Sequence, residues 1–512
     1  APYRPHRGLF AGPGYGCLYS VLCLRVAIVP DSQLTSSASG PHRPDSDHIQ
    51  LYAPRPSIFP RSVKGRFRNI KWGVLVFAYS VYFLLPWLRW EREAGPSQAV
   101  LFDLPGRKLY LFDLVVHPQD IFWLAGLLVI AAYLLFFVTG LAGRVFCGYF
   151  CFQTLWTDVY VWIEKLVQGE RPARIRLHRQ AWGAEKLFKI GLTHMLWLLV
   201  AFVTGLTFVI YWGDAYQLVG RFFTGDAPFA AYATALFLTA TTYVMAGIAR
   251  EQVCTYMCPY SRFQSVMFDR DTLIVSYHQE RGEGCNGRHK LVGDKKDRAA
   301  REAQGYGDCI DCGYCVQVCP TGIDIRNGLQ IQCISCALCI DACDTIMDSL
   351  GWERGLVGYS SQRVEEGGEK ARLLRPKVLG YLGVLMVAVG LLVWSVSHQA
   401  PFDLSVSQVR APIYVQLSDG RIQNSYEIKV NNKTGHSLAL QFSLRGMQGA
   451  ELDMGRFQSI TLRPEQRLRL TARIHATREG LRSGTHPIDI IATPVAGSGL
   501  SPLSHESVFY LP

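Results

Sequence analysis

Residues 307–344 read GDCIDCGYCVQVCPTGIDIRNGLQIQCISCALCIDACD and contain eight of the fifteen cysteines in the chain. These eight fall into two runs with the same spacing, C-x2-C-x2-C-x3-C. The first run is Cys309, Cys312, Cys315 and Cys319, and the second is Cys333, Cys336, Cys339 and Cys343. Three thiolates on one tight loop can bind three corners of a small metal centre, and a distant fourth ligand can tie two loops together. The stretch therefore predicts a compact domain with two metal centres.

The spacing, with Pro320 after the first run, is the bacterial ferredoxin pattern, in which the fourth cysteine of each run binds the other cluster. It predicts one [4Fe–4S] cluster on Cys309, Cys312, Cys315 and Cys343, and a second on Cys333, Cys336, Cys339 and Cys319. Such clusters transfer single electrons. Two zinc sites are the alternative, because C-x2-C pairs also bind zinc, but two runs in the same register favour clusters. Asp344 stands where a proline would follow the second run, a departure that removes no ligand.

The composition excludes several classes of function. The chain has 512 residues, 49% of them hydrophobic, and a formal net charge of +11. No nucleic-acid-binding module accompanies the basic excess, so no nucleic acid is expected as a partner. No G-x-G-x-x-G follows a strand and no Walker loop occurs, so neither a dinucleotide nor ATP is expected. The electrons must then come from another protein or from a membrane quinol.

Five apolar segments have about the length that a bilayer demands, roughly 17 to 25 residues. They are Trp72–Leu88, Ile121–Ala142, Ile190–Ala201 with its continuation to Trp212, Pro228–Ala249 and Val378–Val396. Tryptophans lie at several of their ends, as they do at membrane interfaces. Buried helices of a soluble protein are the alternative, but five such segments are hard to place in one soluble core.

Basic residues are distributed unevenly between these segments. They are dense before the first span and from Arg144 to Lys189, whereas Arg221 stands alone between the third and fourth spans. Basic loops remain in the cytoplasm, which predicts a cytoplasmic N terminus and a periplasmic C terminus in a bacterial inner membrane. The cysteine-rich domain then lies in the cytoplasm, where its thiols stay reduced.

A second cysteine motif, C-x3-C, follows both the second and the fourth span. Its cysteines are Cys147 and Cys151 in the first copy and Cys254 and Cys258 in the second. We interpret the copies as an internal repeat of two parallel hairpins, which would bring the four cysteines together at the cytoplasmic surface. In a helix, residues i and i+4 lie on one face, so each copy would present two sulfurs on one side. Thiolates in this arrangement suit Cu(I), zinc or an iron–sulfur centre; the alternative is cysteines that only pack helix ends.

Other polar residues in the membrane region are interpreted as structural. His117 and His194 have no evident partner for haem ligation, so helix packing is the expectation. Asp158 and Glu164 fall on a predicted interfacial helix, Leu155–Val167, and are expected to form its solvated face. Tyr149 and Tyr256 occupy the same position in the two C-x3-C copies, where they could support the site or pack at the interface.

The two ends of the chain differ from its centre. Residues 1–60 are rich in Pro, Ser, Gly and Arg and are predicted to be a disordered cytoplasmic tail, in which Cys17 and Cys23 have no assigned role. A signal peptide is the weaker alternative. From about residue 400, short alternating runs separated by turn residues predict a β-sandwich of immunoglobulin type without cysteine. This sandwich would either dock a partner or serve as a stabilising cap.

The predicted fold class is a multidomain membrane protein with five transmembrane α-helices, an inserted bacterial-type two-cluster ferredoxin domain and a C-terminal Ig-like β-sandwich. The predicted segments are 1–60 (tail), 61–270 (four transmembrane helices in two hairpin repeats), 271–377 (ferredoxin domain), 378–398 (fifth helix) and 399–512 (sandwich).

Three stretches together resemble one family. They are GRVFCGYFCFQTLWTD (143–158), REQVCTYMCPYSRFQ (250–264) and the cysteine-rich stretch 307–344. From about Leu51 to its end the chain resembles the CcoG family, also called FixG or RdxA, of cytochrome c oxidase accessory and maturation proteins. Phe152 departs from the proline usual at that place in the family, which is present as Pro259 in the second copy. Residues 1–50 fall outside the resemblance.

The resemblance implies a membrane cupric reductase, which reduces Cu(II) to Cu(I) for a cbb-type cytochrome c oxidase. Its catalytic and copper-binding residues would be Cys147, Cys151, Cys254 and Cys258. Implied partners are oxidase assembly factors or a copper chaperone, with an unidentified electron donor; a homodimer is left open. The alternatives are a quinol-linked polyferredoxin subunit of a respiratory chain and a scaffold for oxidase assembly. Paired clusters and a soft product ion that prefers thiolates favour the reductase.

Overall fold

The computed structural model describes residues 57–92, 94–291, 298–368, 370–457, 459–478, 482–495 and 500–512. Most of the predicted tail, with Cys17 and Cys23, lies outside these residues. The helices are α1 (Arg66–Leu84), α2 (Ile121–Ala142), α3 (Val145–Tyr149), α4 (Phe152–Gln168), α5 (Arg171–Arg179), α6 (Ala184–Ile210), α7 (Ala215–Thr224), α8 (Phe229–Thr242), α9 (Pro259–Val266), α10 (Gln279–Glu283), α11 (Arg298–Ala303), α12 (Tyr314–Gln317), α13 (Leu338–Leu350), α14 (Gln362–Glu365) and α15 (Pro376–Ser397). Two π-helical segments, Tyr243–Ala249 and Val253–Met257, follow α8.

Five of these helical segments are long and apolar enough to cross a membrane: Arg66–Trp87, Pro118–Ala142, Ala184–Ile210, Phe229–Ala249 and Pro376–Ser397. In the segment of α6, 44% of the most apolar window is buried, against 6–17% in the other four, so α6 lies at the centre of the bundle. The helices α1 and α6 begin at Arg66 and Ala184, earlier than the predicted Trp72 and Ile190. Their first turns carry charged residues, which hydropathy alone assigns to loops.

The helices do not pack as two equivalent hairpins. Helix α6 packs along α8, as the second hairpin requires, but α2 packs along α15, where the indole of Trp123 donates to Ser395 Oγ at 2.9 Å. Among the described residues, α1 and α2 share no extended contact. The first predicted hairpin is therefore wrong as a packing unit, because the fifth helix takes the place beside α2.

The cysteine-rich segment folds as an insertion whose two ends meet. Strand β4 (Ile274–Tyr277), which follows α9, pairs antiparallel with β5 (Val357–Ser360), which precedes α15. Helix α13 of this domain packs against α1, where the Asp341 carboxylate accepts hydrogen bonds from the backbone N–H groups of Phe67 (3.2 Å) and Arg68 (2.7 Å). Asp341 thus supplies the N-terminal cap of the first membrane helix from another part of the chain.

Asp341→Ala is expected to destabilise the protein by about 0.5–2 kcal/mol, the usual cost of losing a helix cap. Asp341 is 5% exposed, so water cannot replace it easily. The measurement is the thermal unfolding midpoint in detergent or nanodiscs. Asp348→Ala is the matched control, because Asp348 on the same helix is exposed and pairs with exposed Arg354. Equal midpoints for the two variants would contradict the cap.

The C-terminal region forms two antiparallel sheets around one core. The strands are β6 (Phe402–Gln408), β7 (Val415–Gln416), β8 (Ile422–Asn432), β9 (Leu438–Arg445), β10 (Glu451–Asp453), β11 (Ser459–Leu462), β12 (Arg467–Ala476), β13 (Gly484–Pro494) and β14 (Leu503–Leu511). One sheet has the order β10-β12-β8-β6, with β7 also paired to β8, and the other has β11-β9-β13-β14. Alternate residues of β8 point inward, including the fully buried Tyr426 and Ile428. The predicted sandwich is present.

A small sheet between α1 and α2 was also missed. Its strands are β1 (Val100–Asp103), β2 (Lys108–Leu111) and β3 (Leu114–Val116). Glu465 of the sandwich accepts hydrogen bonds from Lys108 Nζ (2.7 Å) and Tyr110 OH (3.0 Å), and Lys433 Nζ lies 2.9 Å from Asp120 Oδ1. These contacts fix the sandwich to the end of the bundle opposite the cysteine-rich domain.

Candidate metal centres

Two small cavities occupy the cysteine-rich domain. The first is lined by Cys309, Cys312, Cys315 and Cys343. The second is lined by Cys319, Cys333, Cys336 and Cys339, with Cys315 reaching its edge. The structure thus groups the eight cysteines as the interleaved pattern assigns them. Four thiols around each cavity suit a polynuclear centre that takes one ligand at each corner.

The two cysteine loops have matching backbone conformations. The residues before and after the second cysteine of each run all have positive φ: Asp311 (49°) and Gly313 (65°) in the first, Ser335 (51°) and Ala337 (60°) in the second. Only glycine adopts such angles without cost. These left-handed residues curl each loop so that its first three thiols face one cavity.

Burial disfavours the thiolate forms in the absence of a cationic centre. It raises the pKa of the Cys315, Cys336 and Cys343 thiols to about 12, and neighbouring cysteines add to each shift. The ammonium of Lys71, on α1, acts in the opposite direction on the pKa of Cys336. Because metal ligation requires thiolates, a bound iron–sulfur centre would supply the further positive charge that stabilises them.

The structure places the four C-x3-C cysteines in one neighbourhood at the end of the bundle. Burial raises the pKa of the Cys147 thiol to about 11 and that of Cys254 to about 12, and the charges of the other motif cysteines raise the pKa of Cys254 further. Within the described part of the chain, no three His, Cys, Asp or Glu side chains converge closely enough to hold one metal ion. A shared copper site would therefore require these side chains to turn towards each other.

The two C-x3-C copies have similar backbones, but neither pair lies on one continuous helix. Cys147 lies in α3 and Cys254 in a π-helical segment, whereas Cys151 (ψ 126°) and Cys258 (ψ 112°) are extended residues that precede α4 and α9. The expectation that residues i and i+4 share a helical face is therefore wrong here. Pro259 favours the extended conformation of the residue before it, Cys258. Cys151 has the same extended conformation although Phe152 follows it, so the missing proline does not change the backbone of the first copy.

The first copy contacts the loop of the second cluster cavity. A Cβ atom on Gly148 would lie 2.7 Å from Ile334 O and 2.9 Å from Cys336 Cα. Buried Tyr149 donates its hydroxyl to Cys336 O at 3.1 Å, and Cys147 packs against the small core that contains Ile334 and Cys336. Tyr256, the counterpart of Tyr149, is 72% exposed. These contacts with the cluster loop come from the first copy, whereas the tyrosine of the second copy is exposed.

Arg144 and Gln264 complete this junction. The Arg144 guanidinium donates to the backbone carbonyls of Ile331 and, at 3.4 Å, Cys333. Gln264 Oε1 accepts from Arg144 Nε at 3.2 Å and from the Cys147 thiol at 3.3 Å. A single chain of contacts thus runs from the second cysteine loop to Cys147.

Comparisons with known proteins agree with this architecture. Residues 249–362 match a family model described as a 4Fe-4S dicluster domain, and residues 392–512 match one described as the IG-like fold at the C terminus of FixG. Protein RdxA of Cereibacter sphaeroides is 44% identical over 409 residues, which cover 78% of this chain and 84% of the relative. Nitrogen fixation protein FixG of Rhizobium meliloti is 39% identical over 435 residues, covering 78% of this chain and 82% of that protein.

The chain belongs to the FixG/RdxA family. It is an iron–sulfur redox protein with a 4Fe-4S dicluster domain, five candidate membrane spans and a C-terminal Ig-like domain. The crystal structure of a FixG-related protein from Vibrio parahaemolyticus matches 22% of this chain and 97% of its own length at 26% identity, with a TM-score of 0.19.

In this FixG/RdxA protein, Asp158 and Glu164 do not form a solvated face. Each is 9% exposed. Asp158 Oδ2 lies 3.2 Å from Arg68 and 3.0 Å from Lys71, while Glu164 pairs with Arg174 at 3.1 Å and with Arg250. The expectation was wrong because the predicted loop arginines and lysines fold back onto α4. In the sequence, the sign of these ion pairs was the presence of two acidic residues among many basic ones.

The ion pair between Glu164 and Arg250 also supports the second cysteine motif. Arg250 has φ 45°, an unfavourable angle for a residue with a side chain, and occupies the position of Gly143 (φ 58°) in the first copy. Its guanidinium bonds to Glu164 and lies over the Trp197 ring, 5.2 Å from the centroid. These contacts hold the turn that begins the Cys254 segment.

His194 agrees with the expectation of helix packing. Its Nδ1 lies 2.9 Å from Tyr243 OH, and its ring meets Trp197 edge-on with 5.0 Å between centroids. His117 is buried at the opposite end of the bundle, where Nδ1 lies 3.8 Å from Asp120. Neither histidine lies among the cysteine side chains.

Gly148→Ala is expected to destabilise the protein by about 1–3 kcal/mol, because the new methyl group would overlap backbone atoms of the cluster loop. The measurement is the thermal unfolding midpoint. Gly191→Ala is the control, since nothing lies within 4 Å of its added Cβ. Identical behaviour of the two variants would contradict the contact.

Proposed function

We propose that this FixG/RdxA protein reduces Cu(II) to Cu(I) at the cysteine quartet, and that the Cu(I) serves the assembly of a cbb-type cytochrome c oxidase. The quartet is Cys147, Cys151, Cys254 and Cys258. The observation that carries the proposal is the direct packing of Gly148 and Cys147 against the loop of Ile334 and Cys336. Soft thiolates beside an electron-transfer domain suit a one-electron reduction whose product prefers sulfur ligands.

We assign one [4Fe–4S] cluster to Cys309, Cys312, Cys315 and Cys343 and the other to Cys319, Cys333, Cys336 and Cys339, following the cavities that these residues line. When bound, the clusters supply electrons one at a time. The protein's own part is positional: Arg144, Tyr149 and Gly148 hold the second cysteine loop against the quartet. Copper is the substrate, and each Cu(II) ion gains one electron.

The proposal places the quartet and the cluster domain in the cytoplasm and the sandwich in the periplasm. Two features support this orientation. The basic side chains Arg68, Lys71 and Arg250 lie at the cysteine end of the bundle, as cytoplasmic charges do. The sandwich contacts the opposite end through Glu465 and Lys433 and, with no cysteine after residue 343, needs no reducing compartment.

The test uses protein reduced under anaerobic conditions and then freed of excess reductant. Cu(II) is added, and Cu(I) is captured by a chromogenic chelator. The wild type and the control Cys285→Ser, which changes an exposed cysteine, should form Cu(I) at the same rate. The rate of Cu(I) formation by Cys254→Ser should be at least tenfold lower. Normal iron content in Cys254→Ser would show that its clusters are intact. Unchanged Cu(I) formation by Cys254→Ser would exclude the quartet; clusters that react with a quinone but not with Cu(II) would favour a respiratory electron-transfer subunit.

A further inference from the structure

A larger cavity lies in the membrane region, separate from both cluster cavities. It has a volume of about 380 Å³, and we call it the membrane cavity. Tyr82 of α1, Trp156 of α4, Thr204 and Phe208 of α6, and Ala246 of the π-helical segment line it. All of these except Trp156 belong to segments that can span a bilayer. A molecule that reaches this cavity would come from the lipid phase.

The lining combines aromatic walls with a few oriented polar groups. The Trp156 indole donates to Thr204 Oγ1 at 2.9 Å, and Tyr82 OH donates to Thr204 O at 2.8 Å. Sites for small aromatic ligands have this character, mostly apolar with a small number of fixed polar groups. A lipid acyl chain cannot form hydrogen bonds with the polar groups, whereas a ring that carries oxygen atoms can contact both the aromatic and the polar parts of the lining.

The helix beside the cavity is widened. Helix α8 ends at Thr242 and continues as π-helix over Tyr243–Ala249, so Met245 and Ala246 face the cavity. Single π-helical turns are uncommon and occur often at functional sites. The widened turn is held by Gln153, whose amide donates to Met245 O at 2.8 Å.

The membrane cavity lies beside the segments that lead to both cysteine pairs. Phe152 and Gln153, which line it, directly follow Cys151 in the chain. The same Gln153 amide lies 3.2 Å from the carbonyl oxygen of Arg250, at the turn that leads to Cys254. A redox-active ligand in the cavity would therefore lie against the segments that carry the quartet.

We propose that the membrane cavity binds the ring of a membrane quinol, and that this quinol is the electron donor of the protein. The proposal rests on the proposed function and names its missing substrate. Each quinol would lose two electrons and the protons of its two O–H groups and become a quinone. Two Cu(II) ions would each gain one electron, and the two protons would be released to water.

The binding test uses the full-length holoprotein in phospholipid nanodiscs with decyl-ubiquinone as the probe. Quenching of tryptophan fluorescence should saturate, because Trp156 lines the cavity. Ala246→Phe fills the cavity at a buried position and should weaken binding at least tenfold. Ala240→Phe adds the same group at an exposed position of α8 and should bind like the wild type. Thr242→Leu, also in the lining, replaces Ala246→Phe if that variant loses its iron or its thermal transition.

Saturable binding that only the lining variants lose would support the quinol site. Quenching that never saturates, that is equal in all variants, or that excess phospholipid abolishes would overturn it. A second arm separates this inference from the proposed function. Chemically reduced Ala246→Phe should still reduce Cu(II), while decyl-ubiquinol should fail to reduce its clusters. Failure of chemically reduced wild type to reduce Cu(II) would refute the copper proposal, whereas failure with quinol alone would refute the quinol donor.

Discussion

Cys336→Ser is expected to remove one of the two clusters and to slow the reduction of Cu(II) at least a hundredfold. Cys336 is buried, lines the second cavity and packs with Ile334, Leu338 and Ala342 in one small core. Its backbone carbonyl accepts the Tyr149 hydroxyl, so the loop that it anchors is also the loop that meets Gly148. Loss of a thiolate here affects both the metal centre and the junction with the membrane region.

Iron and sulfide per chain, together with the electron paramagnetic resonance spectrum of the reduced protein, measure this effect. The variant should retain about half of the wild-type iron, because the first cavity keeps its four cysteines. Cys285→Ser, at an exposed cysteine outside all motifs, should retain all of it. Full iron occupancy in Cys336→Ser would contradict the assignment of this residue as a ligand.

Glu164→Ala is expected to destabilise the protein by about 3–5 kcal/mol, the usual cost of breaking a buried ion pair from one side. The side chains of Glu164 and Arg174 are 11% and 2% exposed, and Arg250 shares the same carboxylate. Removal of the carboxylate leaves the two guanidinium groups close together without the negative charge that they share. It also frees the Arg250 turn, so copper reduction should fall together with stability.

The thermal midpoint and Cu(I) formation are the two readouts for Glu164→Ala. Glu185→Ala is the matched control, because its i,i+4 pair with Lys189 is exposed and such pairs contribute little. A Glu164→Ala protein as stable as Glu185→Ala would contradict the buried network. A destabilised variant with normal copper reduction would show that the Arg250 turn does not position Cys254.

Local patterns in the sequence predict much of the fold and the grouping of the cluster cysteines. Membrane helices can be predicted because the length and composition of an apolar segment are enough to recognise one. The interleaved cysteine runs assign Cys319 and Cys343 to opposite cavities because ligand spacing on a tight loop is a local property. Alternation along β8 indicates the sandwich for the same reason.

The features that the sequence did not predict depend on contacts between distant segments. Asp158 and Glu164 look like solvated charges until Arg68, Lys71 and Arg250 fold against them. The contact of Gly148 with Ile334 joins segments far apart in the chain, and a lone glycine gives no sign of its neighbour. Packing of α15 beside α2 likewise overrides the apparent hairpin repeat.

The most direct test of the central claim is a single turnover of the wild-type protein. Both clusters are reduced, excess reductant is removed under anaerobic conditions, and Cu(II) is added in increments while cluster absorbance and chelated Cu(I) are recorded together. One Cu(I) is expected for each cluster oxidised, up to two per chain for a dicluster protein. Clusters that stay reduced in the presence of Cu(II), with no Cu(I) formed, would contradict it.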